Sequence, residues 1–141
     1  MSKLYSTTVT AVGGRTGTVK SDDGVLDLQL ALPQELGGKG GATNPEQLFA
    51  AGYAACFENA VIHVSRGQQD KVKDDDIEVI GTVGMGQNAE GGFELSVALD
   101  VTITGMSQDA AQAVVDAAHK MCPYSNAVRG NVDVAISVHV K

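Results

Sequence analysis

The chain of 141 residues sets 17 acidic against 10 basic side chains, a net charge of −7 at pH 7, with 43% hydrophobic and 19% charged residues. That composition is globular rather than disordered or fibrous, and the length fits one domain over residues 1–141 with a modest core. The acidic balance argues against a nucleic-acid phosphate backbone as partner, and no stretch approaches the ~20 apolar residues needed to span a bilayer.

From the first residue, the segment MSKLYSTTVT has no apolar run long enough for a signal peptide, so a soluble cytoplasmic protein is expected. KLYSTTVTAV (3–12) alternates apolar and polar residues and predicts a strand ending at Gly13-Gly14. A second strand follows, then an Asp23-Gly24 turn and a third strand through Val25, Leu26, Leu28 and Leu30. Asp-Gly between such runs is a hairpin signal in which both central residues want positive φ. The three strands are expected to form an antiparallel meander.

PQELGGKGGATNPEQ (33–47) reads as a glycine-rich loop that ends in a helix start. Asn44 is the expected N-cap, Pro45 the first helical residue and Glu46 a first-turn acid. The helix runs to Arg66-Gly67, about 22 residues, which is long for a small domain. It carries Ala50, Ala51, Gly52, Ala54, Ala55 and Ala60, so other backbone must crowd it closely or it buries almost nothing. A homodimer packed around these helices is therefore expected.

DIEVIGTVGMGQ and FELSVALDVTITG flank NAEGG as a second hairpin. SQDAAQAVVDAAHKM (107–121) predicts a second helix, capped by Ser107, with Ala111, Val114, Val115, Ala118 and Met121 on its apolar face. Cys122-Pro123 ends it, because the residue before a proline disfavours the α region. NVDVAISVHV (131–140) is a last strand. The order β-β-β-α-β-β-α-β gives an α+β fold with antiparallel sheet and a long central helix.

Two cysteines stand out, Cys56 inside the long helix and Cys122 at the end of the second one. No CxxC, His-rich tract or metal-ligand spacing accompanies them. A structural disulfide is not expected in a reducing compartment, which leaves two buried hydrophobes or a redox pair. Cys56 sits too deep in its helix to gain from the N-terminal dipole, so an activated thiol there needs a neighbouring cation. Arg15, between Gly13-Gly14 and Gly17, is either that cation or a solvated turn arginine. Glu46 is ten residues from Cys56, about 15 Å along and about 80° around an unbroken helix, so the two cannot touch within one straight helix. If they share a site, the helix bends or Glu46 arrives from another subunit. Cys122 beside Pro123 has the local freedom that a resolving thiol needs. His63, His119 and His139 show no ligand pairing and are expected to be structural or exposed.

Together, NPEQLFAAGYAACF (44–57), CPYSNAVRGNV (122–132), GGRTG (13–17) and SDDGVLDLQL (21–30) closely resemble the organic hydroperoxide resistance proteins of the OsmC/Ohr superfamily. The similarity runs from the first strand to the last. It implies an intertwined homodimer with active sites at the subunit interface, and a thiol peroxidase that reduces organic hydroperoxides to alcohols. By that resemblance Cys56 matches the peroxidatic cysteine and Cys122 the resolving one, while Arg15 and Glu46 match the polar pair beside the reactive sulfur. No bound cofactor or metal is implied. The external reductant would be a lipoylated protein (dihydrolipoamide) served by dihydrolipoamide dehydrogenase. Three other readings of the same residues are the OsmC-like subgroup, with the same chemistry but other substrate and reductant preferences, a carrier of apolar ligands with inert thiols, and a redox-sensing regulator; the CPYSNA segment and short GGRTG turn speak against the first, and no DNA-binding helix pair or basic surface favours the third.

Overall fold

Three short strands carry the N-terminal alternation in the computed structural model, which describes all 141 residues: β1 (Val9–Val12), β2 (Thr18–Ser21) and β3 (Asp27–Gln29). They form the expected antiparallel meander, with Val9 opposite Ser21 and Val19 opposite Leu28. The first strand is shorter than the alternation predicted, starting at Val9 rather than residue 3. A strand lasts only while its backbone has a ladder partner, and β2 ends at Ser21, opposite Val9.

The turn after β2 also differs from expectation. Only Gly24 takes positive φ, at 75°, and no residue other than glycine does so anywhere in the chain. Asp23 Oδ1 accepts hydrogen bonds from Ser21 Oγ at 2.6 Å and from the Val25 N–H at 3.0 Å. That side-chain turn holds Asp23 in the common half of φ space, and the Gly24 N–H closes onto the Ser21 carbonyl at 2.9 Å. These strands belong to a compact unit of residues 1–48.

A second compact unit comprises residues 49–141. The long helix, α1 (Pro45–Ser65), opens in the first unit and supplies its residues 49–65 to the second. Its start follows the sequence signals, with Asn44 Oδ1 accepting the Gln47 N–H at 2.9 Å and Pro45 as first residue. Tyr53, Phe57, Ala60 and Val61 are its buried face.

β4 (Ile77–Gln87) and β5 (Phe93–Ile103) form the second hairpin, in register from Ile77 opposite Ile103 to Gln87 opposite Phe93. Asn88 builds its turn, accepting the Glu90 and Gly92 N–H groups on Oδ1. Val97, Leu99, Val101 and Ile103 alternate along β5 into the core, the period-two signature of a strand with one covered face. β6 (Val134–Val140) lies on the other side of β5 and runs parallel to it, Val97 opposite Val134, so this sheet is mixed rather than wholly antiparallel. The cause is the connection. Two helices stand between β5 and β6, and a helical crossover returns the chain in its original direction, whereas a tight hairpin reverses it.

Those helices are α2 (Gln108–Met121) and α3 (Pro123–Val128). Ser107 caps α2 as expected, its side chain accepting the Ala110 N–H at 3.2 Å. Ala111, Val114, Val115 and Ala118 are buried, but Met121 is 48% exposed and does not belong to the apolar face. The chain leaves the α region at Cys122, as Pro123 dictates, and Pro123 at once begins a further short helix that the sequence reading did not contain. No helix is long and apolar enough to cross a membrane.

Ala50 and Ala54 of α1 have their partner in β4. A Cβ on Gly81 would stand 3.2 Å from the Ala50 carbonyl oxygen and 3.3 Å from the Ala54 Cβ. Small residues on both sides let helix and sheet approach this closely.

Candidate active site

Cys56 and Cys122 meet in the second unit. α1 presents Cys56, half-buried, three residues after Tyr53 and one before Phe57. Cys122 is fully buried at the joint between α2 and α3, with φ −62° and ψ 123°. Its N–H caps α2 on the Ala118 carbonyl at 2.8 Å, and its carbonyl accepts the Asn126 N–H of α3 at 3.0 Å. One residue thus closes one helix and opens the next. Both thiols are free, and the Cys122 thiol donates toward Cys56 Sγ across 3.8 Å.

Burial pushes the Cys56 thiol up from its ordinary value, and the neighbouring Cys122 pushes it in the same direction. The backbone N–H of Tyr124, in the first turn of α3, pulls it down. One turn before Cys56 on α1, Tyr53 is the centre of a cluster of rings. The Tyr53 ring lies 5.6 Å from Tyr124, 6.3 Å from Phe57 and 6.4 Å from Phe49. Gly52 makes room for it, because a Cβ there would stand 2.6 Å from the Tyr124 hydroxyl.

Three polar residues also meet here that sequence reasoning did not assign to the site. Tyr53 Oη lies 2.7 Å from Ser125 Oγ, which lies 2.9 Å from His119 Nδ1. Burial holds the His119 imidazole below its usual value, with the Arg129 charge adding to the effect and Asp116 opposing it. The available signal was spacing. Tyr53 stands three residues before Cys56, while His119 and Ser125 flank Cys122 at three residues on either side, one helical turn in each case.

Arg15 and Glu46 meet in the first unit. Arg15 sits in the loop from Gly13 to Gly17 that joins β1 to β2. Its guanidinium makes the fork-to-fork pair expected of Arg with a carboxylate, Nη1 to Oε2 at 2.8 Å and Nη2 to Oε1 at 2.6 Å. The Arg15 hydrogen bonds hold the Glu46 carboxyl below the usual carboxylate range, and Glu46 holds the guanidinium above its own usual value. The loop is tight. A Cβ on Gly17 would overlap the Val12 carbonyl oxygen, so only glycine lets the chain close there. The four residues singled out from sequence therefore form two pairs, Arg15 with Glu46 and Cys56 with Cys122.

Residues 38–137 match the family described as OsmC-like protein. The chain is 50% identical over 137 residues to the organic hydroperoxide resistance protein of Xanthomonas axonopodis pv. citri, covering 96% of this chain and 94% of that one. It is 46% identical to the organic hydroperoxide resistance protein OhrB of Bacillus subtilis, covering 96% and 98%. Among solved structures, an organic hydroperoxide resistance protein from Legionella pneumophila superposes with a TM-score of 0.93 at 55% identity, over 99% of this chain and 100% of that one. A Vibrio cholerae relative with captopril bound in one of its active sites gives 0.92 at 53% identity, over 98% and 94%. With the match covering well over half of its length and relatives this similar almost end to end, the chain belongs to the OsmC-like family, among its organic hydroperoxide resistance proteins.

Proposed function

We propose that the protein is a cysteine-based peroxidase that reduces organic hydroperoxides to alcohols, in defence against organic peroxide stress in the cytoplasm. The observation that carries this reading is the 3.8 Å separation of the free thiols of Cys56 and Cys122. The names of the relatives support the substrate class.

In the first step the Cys56 thiolate attacks one peroxide oxygen. The S–O bond forms as the O–O bond breaks, Cys56 becomes a sulfenic acid, and the alkoxide takes up a proton and leaves as alcohol. In the second step Cys122 attacks the sulfenic sulfur. A disulfide forms, the S–O bond breaks, and the hydroxyl leaves as water with the Cys122 proton. Two electrons and two protons from a dithiol then restore the pair. We assign that role to the dihydrolipoamide of a lipoylated protein, itself re-reduced by dihydrolipoamide dehydrogenase.

Attack requires thiolate, yet burial and Cys122 disfavour it at Cys56. We assign the compensating charge to Arg15, which would stabilise the thiolate and the negative oxygen developing on the peroxide. Glu46 would orient the guanidinium through its bidentate pair. Arg15 would serve a Cys56 of its own chain or of a second copy in a homodimer with sites at the subunit interface. Exposure of Val12 at 67% and Val25 at 87% on the meander supports that assembly, since a second chain would cover them.

Intact mass after one equivalent of tert-butyl hydroperoxide tests the reading. The expected result is the loss of two hydrogens per chain, with Cys56 and Cys122 recovered as one disulfide-linked peptide pair. Both thiols still open to alkylation after unfolding would overturn it and bring the apolar-ligand carrier forward.

A further inference from the structure

Tyr53, Ser125 and His119 have no part in the reaction as written above, yet all three lie in the core around it. Tyr53 and Ser125 are fully buried and His119 is half-buried. Burying a hydroxyl or an imidazole sacrifices its water, and the hydrogen bonds between the three recover about what was lost. Phe, Ala and Leu would fill the same space without that exchange. A buried polar chain is worth having when it specifies one arrangement of the parts it joins.

The parts it joins are the three that carry the thiols. Tyr53 stands on α1 one turn before Cys56, His119 on α2 one turn before Cys122, and Ser125 on α3 one turn after it. The chain of hydrogen bonds therefore crosses the joint at Cys122, where the backbone leaves the helical region, and anchors both of its arms to α1. Its proton order is consistent along its length. Ser125 has one hydroxyl proton for two partners, so with a neutral His119 accepting on Nδ1, Tyr53 donates to Ser125 and Ser125 donates to His119. Burial and Arg129 favour that neutral imidazole.

We propose that the Tyr53–Ser125–His119 chain is the positioning device of the second thiol, holding the Cys122 joint against α1 so that its sulfur stays beside Cys56. The sulfurs must close from 3.8 Å to ~2.05 Å when they bond. A joint held in place from both sides keeps that closure a short local movement, and the pair then behaves as two thiols at high effective concentration. The three residues touch neither peroxide nor sulfenic oxygen in this account; they act through Cys122. The inference rests on the redox-pair reading of the two cysteines and does not depend on what oxidises them.

The test uses purified Tyr53→Phe, His119→Leu and His119→Asn, equilibrated in glutathione redox buffers, with the Cys56–Cys122 disulfide counted by alkylation and mass. Tyr53→Phe keeps the ring and loses one oxygen, so it decides the matter even where His119→Leu fails to fold. Tyr53→Phe and His119→Leu are expected to lower the equilibrium constant for disulfide formation about tenfold. His119→Asn, whose Oδ1 stands where Nδ1 stood, is expected to recover most of that loss. A constant unchanged in Tyr53→Phe would overturn the proposal, and so would Asn and Leu at position 119 behaving alike. Wild-type protein that forms the disulfide in glutathione but leaves tert-butyl hydroperoxide untouched would sink the peroxidase reading alone, with the variants still deciding this one.

Discussion

Cys122 lies 3.8 Å from Cys56, yet the two thiols differ in reach: Cys56 is half-buried, whereas Cys122 is fully buried. A molecule entering from solvent meets Cys56 first. Cys122 is open to oxidation only through Cys56, which supports reading the first as the thiol that receives the oxidant and the second as the one that takes over from it. The same asymmetry explains the joint. A sulfur that must move toward its partner is better carried on the non-helical residue between α2 and α3 than in the interior of a long helix.

Removing either sulfur should therefore have a different consequence. Cys56→Ser is expected to abolish consumption of tert-butyl hydroperoxide. Cys122→Ser is expected to complete one round and then accumulate Cys56 carrying two or three oxygens under excess peroxide, because no thiol remains to trap the sulfenic acid. Intact mass after a peroxide titration checks both. Equal loss of the first round in the two variants would contradict the division of labour.

Arg15 and Glu46 should act on the rate rather than on the course of the reaction. Arg15→Ala is expected to slow the first step by about 100-fold, the scale seen when a positioned donor to developing negative charge is removed. The pH profile of Cys56 alkylation should move up at the same time, since only the Tyr124 N–H then opposes burial and Cys122. Glu46→Gln keeps the cation but loses the fork-to-fork pair, so a smaller effect of about tenfold is expected. Stopped-flow rates against pH measure both. An unchanged Arg15→Ala rate would remove Arg15 from the mechanism.

Much of this fold was legible because its signals are local. Asn44 and Pro45 start α1, Ser107 starts α2, and alternation marks β4, β5 and β6. What the sequence hid is relational. Nothing in VDVAISVHV tells which neighbour it pairs with, so its parallel alignment on β5 emerges only from the crossover of α2 and α3. Asp23-Gly24 signals a turn, but the choice between turn types was made by the Asp23 carboxylate bonding Ser21 and Val25. At the site, residue types with known chemistry drew attention to Cys56, Cys122, Arg15 and Glu46. Tyr53 and Ser125 did not, since a tyrosine and a serine on helices are ordinary until their separation of 2.7 Å is known.

The loop that carries Arg15 gives a prediction about folding. Gly17→Ala drives a methyl group into the Val12 carbonyl, a contact with backbone that no side-chain rotation relieves. A loss of about 2 kcal/mol is expected, in the range of overpacked sites. Gly14→Ala meets nothing within 4 Å and carries only the strain of its φ of 60°, about 1 kcal/mol. Denaturant midpoints rank the two. A Gly17→Ala protein as stable as Gly14→Ala would show that the loop is looser than its close approach to Val12 requires.

Acid should weaken the protein in two separate windows. His119 has a folded value held below that of the unfolded chain, ~6.5, so the unfolded state binds its proton first. The stability that neutral His119 contributes is complete above ~6.5 and is lost as pH falls from there through its lower folded value. Glu46 behaves alike on its own scale. Its folded value is held down by Arg15, so its contribution is complete above the unfolded ~4.3 and is lost as pH falls through the folded one. Denaturant midpoints between pH 8 and pH 3 should therefore fall in two steps. His119→Asn is expected to remove the upper step and leave the lower, because asparagine keeps an oxygen for Ser125 but does not titrate. Glu46→Gln is expected to shrink the lower step and leave the upper. An upper step that survives in His119→Asn would assign that titration to another group and dissociate His119 from the stability of the thiol joint.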